Sequence, residues 1–235
     1  MTLTIHPLTG IPEVGHGDDL AALLLEAIRG AGLALEVGDV LVVTHKVVSK
    51  AEGAVVPLEG PDEDAAYRKV VIGEAAEIVR RRGDLIIART KHGFICANAG
   101  VDRSNAAPGT AILLPLDPDR SAHGLRMSLK AATGVDPVVV VSDTFGRPWR
   151  RGLVDVAIGI SGMEAILDLR GTVDGVGREL HVTEIAVADE IAAAADLVMG
   201  KADRIPAALI RGLSVPAGEG RATDLVRPPE EELFR

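Results

Sequence analysis

Three short stretches of this 235-residue chain crowd polar side chains at the end of an apolar run. The first, VVTHKVVSKAEG, offers His45, Lys46, Ser49 and Lys50. Two lysines four apart face one anion if the turn is helical or tight; charges leaving a strand for solvent account for the same residues. The second, NAGVDRSN, offers Asn98, Asp102, Ser104 and Asn105. Asp and Asn are also common turn residues, because their side chains bond nearby backbone N–H groups. The third, VVVVSDTFGRPWRRG, sets Asp143 and Thr144 just after four valines, then adds Arg147, Arg150, Arg151 and the only tryptophan. The turn explanation is weaker here. An aspartate leaving a buried strand needs a partner, since an unpaired buried carboxylate is costly. Arginines or a metal ion would serve.

Together the three clusters suit metal-assisted phosphate chemistry. Mg²⁺ and Mn²⁺ take hard oxygen ligands, commonly one or two carboxylates with phosphate oxygens and water. Asp102 and Asp143 supply carboxylates and Thr144 a hydroxyl, while Lys50 and the arginines offset the remaining phosphate charge. Phosphoryl transfer calls for this combination of positioning and charge stabilisation. The familiar nucleotide and hydrolase signatures are missing: there is no G-x-x-x-x-G-K-[ST], H-E-x-x-H, C-x-x-C or G-x-S-x-G. DGVGREL comes nearest to a dinucleotide fingerprint, but it lacks the third glycine and a preceding strand, and reads as a hairpin turn.

These clusters must be held by the elements around them. Hydrophobic residues make up 47% of the chain but aromatics only 2%, so the core is built from Ala, Val, Leu and Ile. A net charge of −9 opposes a general nucleic-acid or anionic-membrane surface. The single cysteine, Cys96, lies in the apolar run GFICANAG and reads as a plain buried thiol. No apolar run approaches membrane-spanning length and the N-terminus has no secretory pattern, so a cytoplasmic protein is the default expectation.

Helices are expected at GDDLAALLLEAIRGAG, capped by Asp18 or Gly17, and over Asp62 to Arg82, ending in Arg80, Arg81 and Arg82. Two more are expected: SAHGLRMSLKAATG closed by Gly134, and the Ala-rich run ending near Gly200. Strands are expected at LTIHP, Val40 to Thr44 followed by a polar turn, GAVVP, GDLIIART paired with GFICANAG, TAILLP, the central DPVVVVSDT, and IPAALIRG. Helices and strands alternate irregularly, which gives an α+β or mixed α/β class with no P-loop and no Rossmann unit. The segment after Val215, rich in Pro, Gly and Glu, reads as a loose tail.

GDVLVVTHKVVSKAEG, NAGVDRSN, SDTFGRPWRRG, AIGISG, VADEIAAAADLVMGK and IPAALIRG occur in the order found in the CofE-type coenzyme F420-0:L-glutamate ligases, the F420:gamma-glutamyl ligases. The resemblance covers about Ile5 to Leu213. It implies a two-lobed subunit with a cleft, residues 1–215 forming one ligase unit of intertwined lobes and 216–235 the tail. It also implies a homodimer and a reaction in which GTP drives amide formation between L-glutamate and the carboxylate of a deazaflavin precursor, coenzyme F420-0. Further γ-linked glutamates are added by many members. Mg²⁺ or Mn²⁺, two per site, and a stimulating K⁺ go with that activity.

By the same resemblance, Ile11, Pro12, Glu13, Val14, His45, Lys46, Lys50, Asn105, Gly200 and Lys201 contact the guanine nucleotide, and the segment Met199 to Ile205 borders the base. Asp102, Asp143 and Thr144 hold metal, and Asp143, Thr144 and Lys50 carry the chemistry. Arg147, Arg150 and Arg151 are candidates for anionic groups of the substrate on their charge alone. His45 stands where relatives often have serine. The flavin-type reductase domain fused to some relatives is not expected here. Two other functions fit the residues: a nucleotide-dependent glutamate ligase acting on another carboxylate, and a GTP-sensing protein without turnover.

Overall fold

The computed structural model describes residues 2–232. In chain order they form β1 (Thr4–Pro7), α1 (Leu20–Gly30), β2 (Val40–Thr44), α2 (His45–Glu52), β3 (Val55–Pro57), α3 (Glu63–Glu74), β4 (Ala75–Arg82), β5 (Leu85–Thr90), β6 (Ile95–Ala97), β7 (Thr110–Ile112), α4 (Pro118–Thr133), β8 (Val138–Arg147), β9 (Arg150–Ser161), β10 (Leu167–Asp168), β11 (Glu184–Ile185), α5 (Val187–Met199) and β12 (Ala207–Arg211).

The larger lobe is a mixed five-stranded sheet in the order β1-β12-β2-β8-β9. Its two valine-rich strands, β2 and β8, run parallel, with Val40 opposite Val138 and Thr44 opposite Ser142. Both of their faces are buried, which explains why VLVV and VVVV are continuous rather than alternating runs. Leu41, Val43, Val139 and Val141 pack with α1 and α4, whereas Val40, Val42, Val138 and Val140 pack with α5. Gly159 lets the start of α4 close on β9, since a Cβ there would sit 2.3 Å from the Pro118 carbonyl oxygen. The smaller lobe joins the sheets β4-β5-β6 and β3-β7 to α3 around Leu58, Val71, Ile86 and Ala88. The α+β class and the two-lobed form follow from the chain as expected. Among the described residues, no helix is long and apolar enough to cross a membrane.

Several expectations are corrected. The helix expected over Asp62 to Arg82 ends at Glu74, and residues 75–82 become strand β4, antiparallel to β5. Arg82 pairs with Leu85 across Gly83–Asp84, a two-residue hairpin turn. Sheet pairing therefore overrides the helical propensity of AAEIVRRR, and Arg80, Arg81 and Arg82 lie on a strand rather than a helix end. Helix α1 starts one residue later than expected and is capped by Asp19, whose carboxylate accepts from the Ala22 N–H at 3.0 Å. Asp18 instead accepts from the Gly15 N–H. The polar turn after Val40–Thr44 is helix α2. The strand of the four valines continues to Arg147 and sits beside the edge, with β2 at the centre of the sheet.

The segment after Val215 was expected to be loose. Over 216–232 it lies against the body: the Glu164 N–H donates to the Pro216 carbonyl (2.9 Å), the Ala222 N–H donates to Asp119 Oδ1 (3.1 Å), and Ala222 is fully buried. The end of that tail, 233–235, lies outside the described residues.

Cys96 is buried, as expected, on β6. Burial, and then the nearby charge of Asp143, push its thiol up to about 12. At pH 8 only about one such thiol in ten thousand is thiolate, the form that reacts. Alkylation by iodoacetamide at pH 8 is therefore expected to run at least about a hundredfold slower in the folded protein than in urea. Equal rates in the two conditions contradict a structural cysteine.

Candidate functional site

The parallel strands β2 and β8 end side by side, and ligand sites in α/β sheets form outside the carboxyl ends of such strands. A cleft of about 630 Å³ opens there, lined in part by Thr44, Ser142, Asp143 and Thr144 from the two strands. Helix α2 starts at once from β2, so its N-terminus forms part of the wall. Thr44, at its N-cap, makes no side-chain capping bond. Free helix-start N–H groups and the positive end of the helix dipole favour an anion.

Other segments complete the wall. Ile11, Pro12, Glu13 and Val14 come from the turn before α1, Asn105 from the loop before β7, and Met199, Gly200, Lys201, Arg204, Ile205 and Pro206 from the turn after α5. Two non-glycine residues of this wall, Asn105 and Arg204, have left-handed backbones (φ 58° and 57°). Gly200 has φ 58° and ψ 160°, a conformation essentially reserved for glycine. Strain gathered around one cleft is a common mark of function.

The first two residues of α2 straddle the site. His45 is buried (1% exposed), and its Nε2 lies 3.2 Å from Asp143 Oδ1, close enough to feel the charge but without hydrogen-bond alignment. Lys46 donates to Asp102 Oδ2 and to Ser104 Oγ, each at 2.6 Å. Lys50, one turn on, pairs with Glu13. Asp102 also accepts from the Ser104 N–H at 2.6 Å. Burial opposes its ionisation, but the hydrogen bond and charge of Lys46, with Ser104, outweigh burial and hold its carboxyl below the usual range.

The structure thus brings Ile11, Pro12, Glu13, Val14, His45, Lys46, Lys50, Asn105, Asp143, Thr144, Gly200 and Lys201 to one cleft. Asp102 is joined to it through Lys46. Arg147, Arg150 and Arg151 are placed elsewhere: they sit on the exposed tip where β8 turns into β9 at Pro148–Trp149, and the Arg147 guanidinium donates to the Arg151 carbonyl at 2.6 Å. Asp189, on α5, does not line the cleft. It accepts from the Ala157 N–H at 2.9 Å and faces a separate hollow.

Sequence reasoning missed two acidic side chains of the wall, Asp155 on β9 and Asp196 on α5. Asp155 is 3% exposed. Burial raises its pKa, the Thr144 and Ser142 hydroxyls lower it, and the charges of Asp196 and Asp143 raise it further. An aspartate inside the apolar run LVDVAIGI was the available signal, the same one that singled out Asp143.

Among the described residues, no three His, Cys, Asp or Glu side chains form a ready cage for a metal ion. An ion of the Mg²⁺ type needs no such cage, because it is commonly held by one or two carboxylates and by the phosphates it accompanies. Asp143 and Asp196 lie close enough to Asp155 for their charges to oppose its ionisation, and the same cleft holds the cations Lys46, Lys50, Lys201 and Arg204. The donor set fits a divalent cation that arrives with a phosphate chain.

The model of the family described as F420-0:gamma-glutamyl ligase matches residues 10–212. The chain is similar to the coenzyme F420:L-glutamate ligase of Methanothermobacter thermautotrophicus, at 43% identity over the whole of both chains. It is 45% identical to the enzyme of that description from Methanopyrus kandleri, over all of this chain and 98% of the relative. The Archaeoglobus fulgidus relative is 44% identical over all of this chain and 97% of its own.

Proposed function

This chain belongs to the F420-0:gamma-glutamyl ligase family, and from that premise we propose that it joins L-glutamate to the carboxylate of coenzyme F420-0 at the expense of GTP. Mg²⁺ or Mn²⁺ as the cation, K⁺ as a stimulant and a homodimer as the working assembly are parts of the same reading, as is the addition of further γ-linked glutamates. The observation that carries it is the convergence of four cations (Lys46, Lys50, Lys201, Arg204) and four carboxylates (Glu13, Asp143, Asp155, Asp196) on one cleft at the ends of β2 and β8.

The chemistry follows from the reactants. A carboxylate does not condense with an amine at neutral pH, because oxide is too poor a leaving group. An oxygen of the F420-0 carboxylate attacks the γ-phosphorus of GTP, the bond to the β-phosphate oxygen breaks, and GDP leaves. The acyl phosphate so formed is attacked at carbon by the glutamate nitrogen, the carbon–oxygen bond to phosphate breaks, and the nitrogen gives up its proton. Lys46, Lys50 and the start of α2 hold the phosphates, with Lys201 and Arg204 in the same cleft. Asp143, Thr144 and Asp102 would hold the cation. The cation, when bound, offsets the charge that builds on the transferring phosphoryl group.

The test is incubation with GTP, Mn²⁺, glutamate and F420-0. The expected result is GDP release matched by a mass gain of one glutamyl unit on F420-0. Tight GTP binding with no GDP release contradicts turnover, and a mass gain on a different carboxylate in a substrate panel contradicts F420-0 as the acceptor.

A further inference from the structure

Asp155 is a brace between two strands. It stands opposite Thr144 in the β8–β9 register. Its two oxygens are divided between two hydroxyls: Thr144 Oγ1 donates to Oδ1 at 2.6 Å and Ser142 Oγ donates to Oδ2 at 2.8 Å. The register that allows this is set by a bulge. Val141 pairs with Gly159 but Ser142 pairs with Ala157, so one residue of β9 is left over, and Asp189 takes the Ala157 N–H.

A hydroxyl has one proton and two acceptor lone pairs. With its proton committed to Asp155, Thr144 Oγ1 has only lone pairs left for the cleft that both residues line. We propose that Asp155 is a positioning residue that turns Thr144 into an obligate oxygen donor, so that its hydroxyl takes a divalent cation and cannot donate to a phosphate. Without Asp155 the hydroxyl rotates freely and can offer its proton to a phosphate oxygen instead. The inference rests on the reading of the cleft as a site for a nucleotide and a divalent cation, and deepens it by separating cation from phosphate at one atom.

Four folded proteins are compared by paramagnetic resonance for Mn²⁺ affinity with a non-hydrolysable GTP analogue present: wild type, Asp155→Asn, Thr144→Val and the double variant. Loss of an outer partner of a metal ligand typically weakens binding about 10–100-fold. Asp155→Asn, which can accept only one of the two hydroxyls, is expected to show a loss of that size. Thr144→Val should lose as much or more, and the double variant no more than Thr144→Val. Additive losses overturn the proposal, because Asp155 would then act by its own contact. An unchanged affinity in Asp155→Asn also overturns it.

If Asp155→Asn fails to fold, binding of the analogue in EDTA decides the matter on Thr144→Val. Metal-free affinity equal to or above wild type is expected, and a loss there makes the hydroxyl a phosphate donor and refutes the inference. Wild-type protein that binds neither Mn²⁺ nor the analogue sinks the underlying reading, and the inference with it. Normal wild-type binding with a silent Asp155→Asn sinks only the inference.

Discussion

Asp143→Asn is expected to leave a folded protein whose ligation rate at saturating Mg²⁺ falls by about 10³-fold or more. Asparagine keeps the size of the side chain and an oxygen able to accept from the Thr144 N–H, which Asp143 Oδ1 now receives at 2.7 Å. What it loses is the charge. A bound cation contributes several kcal/mol of transition-state stabilisation, and about 4 kcal/mol corresponds to about 10³ in rate. Buried His45 lies 3.2 Å from the same oxygen and makes no hydrogen bond to it, so the substitution breaks no structural bond there. The melting temperature should therefore stay near that of wild type. Turnover like wild type at saturating Mg²⁺ removes Asp143 from any role in holding the cation, and a collapsed melting transition makes its role structural instead.

The parts of this site that the sequence discloses are those in which type and local spacing suffice. Val40 to Val43 and Val138 to Val141 announce strands buried on both faces, and the polar residues that follow each run mark where those strands stop being core. Lys46 and Lys50 share a face because their spacing is one helical turn. The Lys46–Asp102 pair is another matter: its partners are 56 positions apart in sequence, and only the packing of the smaller lobe against α2 brings them together. Arg147, Arg150 and Arg151 show the opposite failure. Their charge is plain in the sequence, but the Pro148–Trp149 turn carries it to an exposed tip, which charge counting does not foresee. Asp155 was hidden because a single acidic residue in an apolar strand looks like an interruption until its register partner is known. The Asp62 to Arg82 misreading has the same root: helical propensity is local, while the strand that overrides it needs β5 as a partner.

Lys46→Met should move two affinities in opposite directions. Lys46 Nζ sits between Asp102 and Ser104, in the wall where the proposed phosphates lie. A phosphate must compete with Asp102 for this ammonium, and a divalent cation on Asp102 would release it. Methionine keeps much of the apolar stem and removes the charge. Charge-assisted hydrogen bonds contribute about 1.5–3 kcal/mol, so binding of the GTP analogue should weaken about 10–100-fold. Mn²⁺ binding without nucleotide should strengthen, by about tenfold, because Asp102 no longer has a resident cation beside it. General damage to the fold would weaken both, so the opposed signs are the diagnostic result.

Stability gives a third readout with a definite sign. In wild type the folded Asp102 carboxyl is depressed, so its contribution is present above the unfolded value of about 3.9 and is lost as pH falls. In Lys46→Met the burial that opposes ionisation loses its main counterweight, and stability should instead be lost as pH rises through the carboxylate range. The melting-temperature gap between the two proteins is therefore expected to widen from pH 4 to pH 7 in EDTA. A gap that is constant or narrows over that range shows that Lys46 does not hold the charge of Asp102.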